Sequence, residues 1–190
     1  MHSGWGVLVA VSENPVEILD RRRIVTADPN IPGAIQPYHF ASQLELRQQQ
    51  KHLDHCAKSS GSLATIAIAE LVRELLTRDY QVVGAAVLLA SGRSLPALEK
   101  ILGAHPLIHT AEGEFFRQAA IRASEELQIP VTAIRIRELD EQVKVAFGKT
   151  ASRLQGSIAS MGSRIGQPWT KDHKTAALAA ALILASGCRA

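Results

Sequence analysis

The stretch VVGAAVLLA, residues 82–90, decides the fold. Nine uncharged residues rich in valine, alanine and leucine read as a strand covered on both faces, as at the centre of an α/β sheet. Downstream, Ser91-Gly92-Arg93-Ser94 is a strand-to-helix loop, and residues 95–102 form a short helix with Pro96 tolerated in its first turn. Thr110 is suited to cap a longer helix that runs to Gln128 and carries Phe115, Ala119 and Leu127. Residues 131–137 (VTAIRIR) alternate, which points Ile134 and Ile136 inward and Arg135 and Arg137 outward. A strand, helices and a strand in this order call for a right-handed crossover, so 82–90 and 131–137 are expected to be parallel.

Upstream, residues 4–11 (GWGVLVAV) and 16–26 (VEILDRRRIVT) flank the turn Ser12-Glu13-Asn14-Pro15 and read as an antiparallel hairpin. Within it Arg21, Arg22 and Arg23 form a charged strand face. Residues 28–37 hold three prolines and a glycine and read as loop. Residues 40–77 are helical in pattern, with Ser59-Ser60-Gly61-Ser62 expected to divide or kink the helix. Residues 138–166 are helical in part, interrupted by glycines, and residues 170–185 form an alanine-rich closing helix.

A chain of 190 residues, 46% hydrophobic and 21% charged, suits one globular domain spanning 1–190. With only 4% aromatics, its core is built from aliphatic side chains. Cys56 and Cys188 are too few for a disulfide framework, which points to reduced thiols and a cytoplasmic setting. The apolar run 176–185 is half the length of a membrane span, so no membrane partner is expected. The net charge of +3 is unevenly distributed. From Gln142 to Lys174 the bases are Lys144, Lys149, Arg153, Arg164, Lys171 and Lys174, against the single acid Asp172. That segment is either a solvated surface or a face for nucleic-acid phosphates.

The element order β-β-α-β-α-α-β-α-α resembles the RNase H-like fold with its first strand missing. In that fold three antiparallel strands precede the first helix, and two parallel strands then alternate with helices. Ser3-Gly4-Trp5-Gly6-Val7 looks like the entry to the second strand in Holliday-junction resolvase-like proteins. Residues 142–149 (QVKVAFGK) with Leu154-Gln155 resemble their basic segment, and residues 172–181 (DHKTAALAAA) their closing helix. The resemblance implies a mixed sheet with helices on both faces, structured nucleic acid as partner, a possible homodimer, and magnesium or manganese if the domain is a nuclease. Such nucleases converge several carboxylates on two metal ions about 4 Å apart. Here the central strand ends in Leu88, Leu89 and Ala90, and only Asp172 matches a family ligand. Hydrolysis would therefore need Glu112 or Glu114 beside Asp172 as substitute catalytic and metal-ligating residues, and none is expected without that convergence.

Glu112 and Glu114 open a helix on the usual ligand side of an α/β sheet, where they suit a metal or general acid–base chemistry. Acids there equally complement the helix dipole. His105 and His109 add possible ligands, although Pro106 between them is expected to spoil regular helical spacing. His52, His55 and Cys56 read as a wet helix face beside Lys51, Asp54 and Lys58. Ser91, Gly92, Arg93 and Ser94 offer amides, hydroxyls and a guanidinium to a phosphate, the feature on which a small-molecule enzyme would be built. Ahead of that enzyme stands a second reading, a non-catalytic interaction or assembly module, with Trp5 and the hairpin edge as its contacts.

Overall fold

The computed structural model describes residues 1–13, 15–90 and 94–187. Strands β1 (Trp5–Ser12) and β2 (Glu17–Val25) form the expected antiparallel hairpin, paired from Trp5 opposite Val25 to Ser12 opposite Glu17 with a register shift between Ala10 and Val11. Strands β3 (Ala85–Leu89) and β4 (Val131–Arg135) pair in parallel, Ala85 opposite Val131 and Leu89 opposite Arg135. Among the described residues these strands do not join into one continuous mixed sheet. The hairpin and the parallel pair are separate two-stranded sheets.

The two sheets nevertheless share one layer. Leu8 of β1 and Ala85 of β3 enter the same apolar cluster as Ala64 and Ile68 of α2 (Leu46–Leu76) and Ala123 of α4 (His105–Glu126). Their alternates, Val9 and Val11 on β1 and Ala86 and Leu88 on β3, enter the opposite cluster. That second core is built on Leu139 and Val143 of α5 (Ile136–Phe147), Ile158 of α6 (Ala151–Ser160), and Ala177, Leu178 and Leu182 of α8 (Lys171–Gly187). Because side chains alternate along a strand, this division puts helices on both faces of one strand layer, an α/β architecture. The short helices α1 (Pro37–Ala41), α3 (Leu98–Leu102) and α7 (Gly162–Ile165) complete the set.

Several boundaries differ from the sequence reading, each because packing overrides a local signal. Helix α2 runs unbroken through Ser59-Ser60-Gly61-Ser62. Of the four only Ser60 is buried, on the same stripe of α2 as Cys56 and Ala64. Helix α4 begins at His105, so Thr110 is an interior residue whose hydroxyl donates to the Pro106 carbonyl rather than a cap. Pro106 lies in the first turn, where its missing N–H costs nothing, and the helical spacing of His105 and His109 is preserved. Strand β4 stops at Arg135, and Ile136, expected to point inward, opens α5 and is half exposed. Gly33 has φ of +74°, and a Cβ there would collide with the Phe40 ring, so this loop turn requires glycine.

The hairpin is tied to the far end of the chain. The Arg21 guanidinium donates to the carbonyls of Ile165 and Gly166 at 2.7 Å and Pro168 at 2.8 Å, so it satisfies the end of α7. Next to that loop Trp169 is 5% exposed and its indole N–H donates to the Ile158 carbonyl at 2.8 Å. Trp169→Ala should therefore lower stability by about 3–5 kcal/mol in urea unfolding followed by far-ultraviolet circular dichroism. A loss under about 1 kcal/mol would mean that the ring does not anchor this core.

Candidate functional site

A cavity of about 550 Å³ separates the two sheets. Along one side it is lined by every residue from 7 to 13, on and just beyond β1, and along the other by every residue from 80 to 86, leading into β3. A cavity over a strand's face would touch alternate residues. Contact with consecutive residues means that the cavity runs along the strand edges. Among the described residues β1 pairs with β2, apart from an isolated bridge between Trp5 and His2, and β3 pairs with β4. Each strand thus turns an unpaired edge, with its outward main-chain N–H and C=O groups, toward the cavity. The walls are apolar: Ile68, Leu71, Val72 and Leu75 from α2, and Ala176, Ala180, Ile183 and Leu184 from α8. Gly84 narrows the chain where Ile183 approaches, since a Cβ there would lie 3.0 Å from the Ile183 side chain.

The start of β1 carries a second polar group. Trp5 stacks on His2 at 4.1 Å between ring centres, and the Arg23 guanidinium lies 4.4 Å over the indole. His2 Nε2 lies 2.9 Å from Asp172 Oδ2 in the first turn of α8. At the C-terminal end of β3, Arg117 of α4 donates to the Leu88 carbonyl at 2.9 Å. Burial lowers the pKa of that guanidinium, and the charge of Glu114 opposes the shift.

The sequence-predicted ligands do not gather. Asp172 sits beside His2. Glu114 accepts a hydrogen bond from Gln118 at 2.9 Å and lines a different cavity of about 340 Å³ between α2, α3 and α4. Glu112 is buried and its carboxylate accepts from the main-chain N–H groups of Tyr38 and His39 at 2.9 and 3.0 Å. Burial raises the pKa of Glu112, and the hydrogen bonds from His39 and Tyr38 pull it back. Among the described residues these three acids form no metal-ligating group, and the one such group is histidine-based, His39, His105 and His109. The i, i+4 pair was visible in the sequence. Its third member, His39, lies far off in the chain on α1, between the loop read to residue 37 and the helix read from residue 40.

Lys144, Lys149, Arg153 and Lys171 are exposed, Lys174 is half-buried, and Lys144 lies 3.8 Å from Glu141. The phosphate-loop residues Ser91, Gly92 and Arg93 lie outside the described residues, and Ser94 is exposed. His55 is exposed, but Cys56 is buried 3.4 Å from His52 Nε2. Compared with known proteins, the chain matches no family model, no curated protein and no solved structure. No helix among the described residues is long and apolar enough to cross a membrane.

Burial, with a smaller contribution from the Glu112 charge, pushes the Cys56 thiol up to about 11. At pH 8 very little of it is thiolate. Iodoacetamide should label Cys56 on the order of a hundredfold more slowly in the native protein than in urea. Peptide mass spectrometry resolves this site from Cys188, and equal native and unfolded rates at Cys56 would contradict its placement.

Proposed function

We propose that this chain is an assembly module that receives an extended apolar strand between β1 and β3, and thereby completes an RNase H-like mixed sheet. The observation that carries the reading is the cavity with two facing unpaired strand edges and apolar walls. A fifth strand there would satisfy main-chain groups on both sides and bury alternate side chains against α2 and α8. In the fold that the sequence resembles, three antiparallel strands precede the first helix. A strand missing from the front of that set belongs on the free edge of β1, which is where the cavity lies.

Nucleic-acid binding is the second reading, favoured by the exposure of Lys149, Arg153 and Lys171, which form no ion pair among the described residues. The acids Glu112, Glu114 and Asp172 lend it no two-metal centre, because Glu112 faces α1, Glu114 lines another cavity and Asp172 meets His2. Junction DNA should then bind with a steep salt dependence. Replacing Lys144, Lys149 and Arg153 with alanine should reduce the slope of log affinity against log salt by about 2–3. No shift of junction, duplex or single-stranded substrates at low salt would remove this second reading.

Strand acceptance is tested by joining an alternating valine–threonine hexapeptide ahead of residue 1 through a Gly/Ser linker. Amide hydrogen exchange in β1 and β3 should slow by about tenfold or more as both edges become paired. Ala180→Arg, which drives a charged side chain into the cavity, should restore fast exchange. Unchanged exchange in the fused protein would rule out the cavity as a strand site.

A further inference from the structure

His39, His105 and His109 stand apart from the strand cavity and have a different chemistry. One nitrogen from each lies within 4.8 Å of the other two. The rings meet edge to face, with centroids 4.9 Å apart for His39 and His109, 5.4 Å for His39 and His105, and 4.4 Å for His105 and His109. His105 and His109 occupy successive turns at the start of α4 and are exposed, while His39 comes from α1 and is half-buried. Apolar burial does not explain this grouping, because two of the rings remain in water.

Glu112 lies one turn beyond His109 and on the same side of α4. Besides the amides of Tyr38 and His39, its Oε1 lies 3.2 Å from His39 Nδ1. With Glu112 ionised, this contact is Nδ1–H donating to Oε1, the tautomer in which Nε2 of His39 is the free ligand atom. The other oxygen of Glu112, Oε2, is buried with no hydrogen-bond partner. A carboxylate that fixes one imidazole's tautomer and orientation from behind is how proteins prepare a histidine for a metal ion. A purely structural role accounts for the two amide bonds but leaves unexplained why three imidazoles converge in front of the carboxylate.

We infer that His39, His105 and His109 form a binding site for a late first-row divalent cation of the zinc class, with Glu112 as the positioning residue for His39. Imidazole ligands favour zinc, cobalt, nickel or copper over magnesium and manganese, which take oxygen. A tetrahedral zinc ion needs nitrogens about 3.3 Å apart, given Zn–N bonds of about 2.0–2.1 Å. Rotation of the two exposed rings closes the remaining gap. Three protein ligands leave a fourth position facing solvent, the open coordination of a site that can bind water or a ligand. The site lies about 12 Å along α4 from Arg117, beyond the C-terminal end of β3, where α/β proteins commonly bind ligands.

Tag-free full-length protein, stripped with chelator, is titrated calorimetrically with Zn²⁺, Co²⁺ and Mg²⁺. One equivalent of Zn²⁺ or Co²⁺ should bind at micromolar or tighter affinity, with Co²⁺ giving the intense visible bands of four-coordination, and Mg²⁺ should give no heat. The double variant His105→Ala/His109→Ala changes only exposed side chains and should lose binding by at least about a hundredfold. His55→Ala should bind as the native protein does. Glu112→Gln should weaken binding by about 10–100-fold while retaining the cobalt bands. Absence of stoichiometric binding by the native protein, or native affinity in a folded double variant, would overturn the inference.

Discussion

Close packing of α2 against α4 is the constraint on which the rest of the molecule depends. Cys56, Ser60 and Ala64 on α2, and Phe116, Ala119, Ala120 and Ala123 on α4, are buried. Small side chains let two long helices approach, and a helix held along its length by a neighbour has both ends fixed. At its start, α4 brings Glu112 to the amides of α1. One turn farther on, Arg117 reaches the end of β3. Farther along the same buried stripe of α2, Ile68, Leu71 and Leu75 form a wall of the cavity between the sheets. The histidine cluster and the strand cavity are therefore opposite ends of one helical scaffold.

That scaffold explains how the two sheets keep facing open edges. An unpaired edge is ordinarily covered or shortened, because it invites another strand. Here α8 touches both β1 and β3 from one face, and residues of α2 and α4 share a cluster with Leu8 and Ala85 on the other. The helices hold the sheets in one layer without main-chain bonds between them. The energy of that arrangement comes from apolar burial, which is tolerant of a gap at the edge, whereas ladder hydrogen bonds are not.

Legibility in the sequence followed the range of the interactions. Uniform apolar character marked residues 82–90 as a covered strand, of which Ala85–Leu89 form β3 while Val83 is exposed, and the parallel pairing with 131–135 followed from the crossover. The hairpin, and the basic character of the segment from Lys144 to Lys174, were equally readable. Local breaker signals misled where tertiary contacts were strong. Ser59-Ser60-Gly61-Ser62 reads as a kink, but the helix is continuous there and Ser60 is buried on its packed stripe. Pro106 reads as an interruption between two histidines, but it occupies a first turn, where proline fits.

The sequence by itself determined the α/β class and the direction of each strand pair, because these rest on periodicity, composition and chirality within short windows. Only the tertiary structure decided that the strands divide into two sheets with facing edges. It alone brought His39 to His105 and His109, across a separation of more than sixty residues, and set Glu112 behind them. Convergence of side chains from distant segments depends on how α1, α2 and α4 pack in three dimensions, and no spacing along the chain encodes that distance.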